Sequence, residues 1–405
     1  MSDLTTHSPP TLYCWTGKPD PPPRPPPDPE PEPDPPDTPT YPDPQSLGPA
    51  QNARRRRRAA SGHGVILGRF MPPHLGHDYL IGAAKRQVAQ LTVLVAARGG
   101  DLIEANRRVR WLRRMHPDVT VCPIDVDGLR AVDDGARYWE ELTRRVVGVL
   151  VGRGVDVVFA SEPTARPLAQ MLSAEFVLVD PRREVVPISA TEVRRDPLNH
   201  WDYLPACVRP FYVRRICLLG PEGSAKSTLS RQLAAHFTTQ FVEEYARDFA
   251  GANGPELSIA DFETIARQQI MVEDAARQRA NRLLICDTEL LSLALWCERL
   301  HGMSPCWIRE AARRRPDTYY LLCAPDLPHS AQPEFGGEPA RRGFFMRCKQ
   351  EVEGRWPHAV VRGQGEARLQ AAVSAVEKFL QRSGRTAAGL KGHASGQLAG
   401  QWRCS

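Results

Sequence analysis

Gly68-Arg-Phe-Met-Pro-Pro-His-Leu-Gly-His77 constrains this chain most, because of what flanks it. Before it stands Val65-Ile-Leu67, an apolar run that reads as a buried strand. After it comes Asp78-Tyr-Leu-Ile-Gly-Ala-Ala-Lys85, whose apolar spacing reads as the first turns of a helix. A strand-to-helix crossover gathers backbone N–H groups and the positive end of a helix at one point, which suits a phosphate. His74 and His77 can each donate a hydrogen bond to a phosphate oxygen there, and Gly76 lets the main chain approach the ligand. A loop with two incidental histidines is the competing reading of so short a motif.

Pro187-Ile-Ser-Ala-Thr-Glu-Val-Arg194 has a similar setting, between the strand-like Phe176-Val-Leu-Val179 and a short helix. Ser189 and Thr191 put hydroxyls at the helix start. Arg194, one turn in, supplies a guanidinium for developing charge. From residue 64 to residue 203 strand-like runs (Leu91–Ala97, Val119–Ile124, Val155–Ala160) alternate with helix-like segments such as Asn106–Met115 and Tyr138–Val151. Such alternation predicts βαβ units and a parallel sheet covered on both faces, with ligands at the carboxyl ends of the strands. Arg107, Arg110 and Arg114 share a helix face and read as solvated. Arg110 beside Trp111 is the exception, a candidate to stack on a base or pyridine ring.

Residues 204–214 read as a short packed junction. A second strand–loop–helix then opens with Arg215-Ile-Cys-Leu-Leu219 and Gly220-Pro-Glu-Gly-Ser-Ala-Lys-Ser-Thr228. In a phosphate loop, the backbone from Gly220 through Gly223 and Ser224 to Thr228 wraps the phosphates. Lys226 reaches the β/γ oxygens and Ser227 holds Mg2+. Ala225 stands where the consensus has glycine, and a strained φ there would cost ~1 kcal/mol or more. Asp287, ending the apolar run 282–286, suits the Mg2+ shell; a strand-terminal turn acid is the alternative. Glu243 or Glu244 could activate a substrate hydroxyl. Ser258-Ile-Ala-Asp261 is a capping box for a long helix. Arg341 and Arg342 follow a Gly/Pro-rich loop and read either as a mobile lid that closes on ATP or as an exposed charge cluster.

Composition separates the ends from this body. Of 38 prolines, 18 precede residue 51, interleaved with acids, so 1–60 cannot bury a core and is expected to be a disordered tail. The run Arg54–Arg58 closes it, either a polyanion contact or a solvated charge run. Residues 383–405 are expected to be a second disordered tail. Net charge is +6 with acids and bases mixed, which argues against a dedicated nucleic-acid binder. Ten cysteines without a CxxC pair fit a reduced, cytoplasmic protein. No apolar run approaches a membrane span.

GRFxPxHxGH followed by ISxTxxR resembles the signature of the nucleotidyltransferase α/β phosphodiesterase superfamily. Joined to GPEGSAKST, EEYAR, CDTELL, Val158-Phe-Ala-Ser-Glu162 and Leu321-Leu-Cys-Ala-Pro-Asp-Leu-Pro328, it resembles the bifunctional nicotinamide-mononucleotide adenylyltransferase/ribosylnicotinamide kinase (NadR-type) family over about residues 64–382. The resemblance implies an α/β chain of two domains: a Rossmann-like nucleotidyltransferase parallel sheet at 61–204 and a P-loop kinase parallel sheet at 205–382. It implies that the first joins nicotinamide mononucleotide to AMP from ATP, giving NAD and pyrophosphate. The second would make that mononucleotide from ribosylnicotinamide, with Mg2+ as cofactor and ATP as co-substrate. It places Gly68, Arg69, Phe70 and Gly76 with His74 and His77 at the transferase phosphates. Neither specific DNA binding nor a membrane is expected, and a homo-oligomer stays open. The chain departs from the family in Ala225, in a proline-rich segment where members carry a helix-turn-helix domain, and in residues 329–335, which lack an expected Trp and Asp-Gly. A transferase with a degenerate kinase half, a non-catalytic nucleotide sensor and a different phosphate-ester acceptor are the alternatives.

Overall fold

The computed structural model describes residues 62–129, 135–315, 317–328 and 337–386. The proline-rich segment, the arginine run, residues 329–335 and 387–405 lie outside them. The chain divides into two compact units that part between Val208 and Arg209, inside the stretch expected to be the junction.

The first unit runs β1 (His63–Gly68), α1 (Leu75–Lys85), β2 (Gln90–Ala97), α2 (Ala105–Met115), β3 (Thr120–Asp125), α3 (Gly135–Leu150), β4 (Val157–Ala160), α4 (Arg166–Met171), β5 (Glu175–Leu178) and α5 (Ala190–Arg195). Its five strands are all parallel, in the order β3-β2-β1-β4-β5. Successive residues of a strand point to opposite faces. Ile66 therefore packs with Val93, Val95, Ile81 and Leu112 on one side. Val65 packs with Leu94, Ile124, Leu142 and Leu168 on the other. Each such fully buried aliphatic contributes about 1.5–3 kcal/mol. The strand order reverses between β1 and β4, so their carboxyl ends border the crevice where ligands of such sheets bind. The crossover after β1 lies there.

The second unit runs α6 (Arg209–Tyr212), β6 (Arg214–Leu219), α7 (Lys226–His236), β7 (Gln240–Val242), α8 (Tyr245–Asn253), α9 (Ile259–Arg277), β8 (Leu283–Cys286), α10 (Leu290–His301), α11 (Cys306–Arg313), β9 (Thr318–Cys323), α12 (Gly337–Val352), β10 (His358–Val361) and α13 (Gly365–Thr386). Its sheet is also parallel, in the order β10-β9-β6-β8-β7. Ile216 and Leu218 of the central β6 pack on Leu229 and Leu233 of α7 and on Val373 and Val376 of α13. Ser258 caps α9 in a full capping box with Asp261.

One expectation is corrected here. Arg341 and Arg342 lie in α12, a regular helix, rather than in a mobile arginine-rich loop. Arg341, Phe344, Phe345 and Cys348 fall at helical spacing and are all buried, and this apolar stripe fixes the segment as a core helix. The last helix, α13, continues to Thr386, into the segment expected to be a tail.

Candidate active sites

In the first unit the two motif histidines form the N-terminus of α1. His74 is the N-cap, and its Nδ1 accepts a hydrogen bond from Gly76 N–H at 3.1 Å. His77 Nδ1 accepts from the His74 N–H at 3.3 Å, and the two rings lie 3.8 Å apart. With both Nδ1 atoms accepting, both imidazoles carry their proton on Nε2. Burial, then Arg183, pulls the His74 pKa down to about 4; burial, then His74, holds His77 well below the usual histidine value. At neutral pH the pair is therefore uncharged and offers two Nε2–H donors.

Arg194 docks the second motif onto the first. Its Nη1 donates to the Met71 carbonyl and its Nη2 to Thr191 Oγ1 at 2.9 Å. Ser189 caps α5. Its hydroxyl donates to the Glu192 carboxylate at 2.6 Å, and its N–H donates to the same oxygen at 2.8 Å. The bonds from Ser189 hold the Glu192 carboxyl below the ordinary range. Both hydroxyls expected to meet a phosphate thus already have protein partners, and an anion arriving there competes with Glu192. Arg183 acts electrostatically on both histidines and pairs with Glu162 at 3.0 Å. Arg183 carries no motif signal, whereas Glu192 completes a Ser-x-x-Glu capping box with Ser189 that the sequence reading passes over.

Beneath the crossover lies a buried guanidinium that the sequence does not single out. Arg108 is fully buried and donates to the carbonyls of Arg69 and Ala96 and to Asp101 at 2.6 Å. Asp101 also accepts from the half-exposed Arg69 side chain at 2.6 Å. The loop backbone from Gly68 is thereby tied to the end of β2. Phe70, buried at a left-handed φ of 48°, lays its ring 4.8 Å from that of His77. Arg110 is exposed and Trp111 half-buried on α2.

In the second unit the loop after β6 has the shape a phosphate loop requires. A Cβ on Gly220 would stand 2.6 Å from the Cys323 carbonyl oxygen, which excludes any side chain there. Gly223 is left-handed at φ 64°, and so is Ala225, at φ 58° and ψ 30°. Alanine thus takes the backbone that the consensus glycine would supply, at a cost of about 1–2 kcal/mol. Lys226 Nζ folds back on the loop, donating to the carbonyls of Gly220 at 3.0 Å and Pro221 at 2.8 Å. Ser224 donates its hydroxyl to Pro221 O at 2.7 Å. Two buried arginines take up the loop's other carbonyls. Arg341 donates to those of Glu222 and Gly223, and Arg368 to that of Ser224 at 3.0 Å. Arg368 is bonded as well to Asp326 at 2.7 Å, and sequence reasoning passes it over. Arg342 is exposed and pairs with Glu338 at 2.9 Å.

Asp287 follows β8 and is 3% exposed. Burial first, then the charge of Glu244, raises its pKa, opposed by a hydrogen bond from Ser227. Its Oδ1 is buried without a hydrogen-bond partner. A hydroxyl and an unsatisfied carboxylate oxygen at one point are hard donors of the kind Mg2+ takes, one or two per site with phosphate oxygens completing the shell. The two acids of the EEYAR stretch separate. Glu244 borders the cavity, whereas Glu243 is half exposed and pairs with Arg231 at 2.9 Å.

A cavity of about 340 Å³ opens from this loop. Residues 222–228, with Ser227 and Thr228, form its polar end. Leu257, Phe262, Leu293, Trp296 and Leu300 form an apolar wall. A site with phosphate donors at one end and an aromatic wall at the other suits a nucleoside beside a triphosphate.

A family model described as an AAA domain matches residues 215–368, which span the loop, Asp287 and both bracing arginines. The trifunctional NAD biosynthesis/regulator protein NadR of Escherichia coli (strain K12) is 31% identical over 261 residues, 59% of this chain. The protein of the same name from Salmonella typhimurium is 30% identical over the same share. Over that stretch the chain is similar to these NadR proteins. The match spans 63% of the length of each curated relative. A NadR protein solved with NAD and AMP-PNP superposes with a TM-score of 0.64 at 18% identity, covering 79% of this chain and 96% of that chain. One solved with NR gives 0.65 over the same shares. At that identity the likeness concerns the fold, and it covers 79% of the chain. Among the described residues no helix is long and apolar enough to cross a membrane.

Proposed function

We propose that this chain catalyses two steps of NAD salvage. Its second unit would phosphorylate ribosylnicotinamide with ATP, and its first would join the resulting mononucleotide to AMP. The observation that carries the reading is the tautomer lock on His74 and His77. Two neutral imidazoles, each with Nδ1 engaged by a backbone N–H, present Nε2–H donors at a helix N-terminus beside Arg194 and Arg183.

In the adenylyl transfer, a phosphate oxygen of the mononucleotide attacks the α-phosphorus of ATP. The bond from that phosphorus to the α–β bridging oxygen breaks, and pyrophosphate leaves with the electron pair. His74 and His77 stabilise the charge on the α-phosphoryl oxygens, and Ser189, Thr191 and Arg194 hold the departing end. No side chain takes up a phosphoryl group, so positioning and fixed donors supply the rate. The backbone of Gly68, Arg69, Phe70 and Gly76 would frame the site, and Arg110 with Trp111 would meet the pyridine ring.

In the kinase reaction the ribose 5′-hydroxyl oxygen attacks the γ-phosphorus, and the β–γ bridging oxygen leaves on ADP. The proton passes to Glu244, the acid that borders the cavity. The loop 220–228 and Lys226 hold the phosphates, and Trp296 offers a face to the ring. Mg2+, held by Ser227 and Asp287, would neutralise phosphate charge. Ala225 keeps the left-handed backbone, which favours a live kinase over a degenerate one.

The test supplies ribosylnicotinamide, excess ATP and Mg2+ to the purified protein and resolves products by chromatography. NAD is expected. If none forms, nicotinamide mononucleotide is added. NAD after that addition means a transferase beside a dead kinase, and continued silence rejects the salvage reading in favour of a nucleotide sensor.

A further inference from the structure

Arg247, in the first turn of α8, is a residue of the EEYAR stretch to which the salvage chemistry above gives no task. Its Nη2 donates to Glu244 Oε2 at 2.8 Å and to Ser227 Oγ at 3.2 Å. Ser227 is itself hydrogen-bonded to Asp287, whose Oδ1 is buried without a partner. Two carboxylates and a hydroxyl therefore converge on one small volume, and a guanidinium supplies the compensating positive charge. Each carboxylate disfavours ionisation of the other, and a cation beside them relieves that repulsion.

The arginines that brace the phosphate loops are immobile by burial, with side chains 0% exposed at Arg108, 4% at Arg341 and 3% at Arg368. Arg247 differs. Its side chain is 55% exposed and stands on the cavity wall, free to leave without opening the core.

We propose that Arg247 occupies the metal's position in the nucleotide-free protein, is exchanged for Mg2+ when Mg·ATP enters, and then moves onto the oxygens of the transferring γ-phosphoryl group. The proposal rests on the kinase reading of the second unit. As the 5′-hydroxyl oxygen bonds to the γ-phosphorus and the bond to the β–γ bridging oxygen breaks, negative charge spreads over the γ oxygens and the bridging oxygen. A planar cation beside them lowers the barrier, by 10³–10⁵ in rate where an arginine plays this part. The exchange also means that the free protein does not collect divalent cations unproductively, and that metal and nucleotide enter together.

The experiment titrates the full-length protein with Mn2+ in the absence of nucleotide and reads the free ion by electron paramagnetic resonance. Arg247→Met should bind Mn2+ at least tenfold more tightly than the parent. Arg247→Gln, run beside it against a folding defect in either, should do the same. Arg247→Lys retains a cation and should stay near the parent value. Unchanged Mn2+ affinity in both neutral variants overturns the placeholder. In the same preparations, kcat for phosphorylation of ribosylnicotinamide should fall about 10³-fold in Arg247→Met and Arg247→Lys, with a smaller change in KM for ATP. Parent-like kcat in both overturns the phosphoryl contact. A parent protein that makes no mononucleotide rejects the kinase reading, and the Mn2+ titration still decides the placeholder by itself.

Discussion

Gln269 donates from its amide to the carbonyl oxygen of Thr288 at 3.0 Å. The same side chain accepts from the Tyr245 N–H at 3.3 Å and is 1% exposed. One buried amide therefore ties the strand end that bears Asp287 to the helix start that bears Glu244. It leans on Glu273, itself held by Arg215 at 2.8 Å and by Arg315. Gln269→Leu should lower the stability of the second unit by about 1–3 kcal/mol, because two backbone groups lose their partner in the interior. Urea denaturation checks this. Mononucleotide production should fall more than ATP binding does, since the variant disturbs the relation of the two acids and leaves the phosphate loop untouched.

The histidine pair predicts a pH dependence. The folded His74 pKa of about 4 lies below its unfolded value, so between the two the unfolded chain binds more protons. Stability contributed by the neutral form is complete above about pH 6.5 and is lost as pH falls toward 4. At 1.36 kcal/mol per unit the loss from His74 is roughly 3 kcal/mol, and His77 adds in the same direction. The urea midpoint of the first unit should fall through that window. His74→Asn, which can still cap the helix, should flatten the slope.

Arg108→Met should be the most damaging of these changes to the first unit. It leaves the Asp101 carboxylate and the carbonyls of Arg69 and Ala96 without their buried donor. Removing one partner of such a pair costs about 3–5 kcal/mol. Thermal melting would show it, and adenylyl transfer should fail at temperatures where the protein is still folded.

Ala225→Gly should act in the opposite sense. Relief of the left-handed backbone is partly offset by glycine's freedom in the unfolded chain, leaving a gain of about 1 kcal/mol or less. Calorimetric melting checks it. ATP affinity should be unchanged or tighter, and weaker ATP binding in the glycine variant would contradict the loop geometry described above.

The strands and the strand-to-helix crossovers after β1 and β6 were legible because both leave local marks, apolar runs broken by glycine and proline. β10 was not, because His358–Val361 is four residues long and only partly apolar. Glu243 and Glu244 could not be told apart, since neighbours on a strand end face opposite ways and the chain does not say which way the cavity lies. The bracing arginines had a signal that motif reading passes by. Arg108 stands four residues before Leu112, Arg341 three and four before Phe344 and Phe345, and Arg368 four and eight before Ala372 and Val376. Each occupies a position on an apolar helical stripe, where an arginine persists only if the interior offers it acceptors. The face formed by Arg107, Arg110 and Arg114 drew attention by repetition, yet the buried neighbour Arg108 holds the loop.

Arg108, Arg341 and Arg368, all buried, change what the chain's charge means. A basic count is ordinarily read as a statement about the exterior, about what a protein attracts. Here part of it works inward, where buried guanidinium groups take up main-chain carbonyls of the two strand-to-helix loops. Lysine at the same three positions would preserve the formal net charge of +6. It could not span two or three acceptors at fixed angles, as a planar fork does. Two chains with the same charge arithmetic would then differ in whether these two loops hold their shape at all.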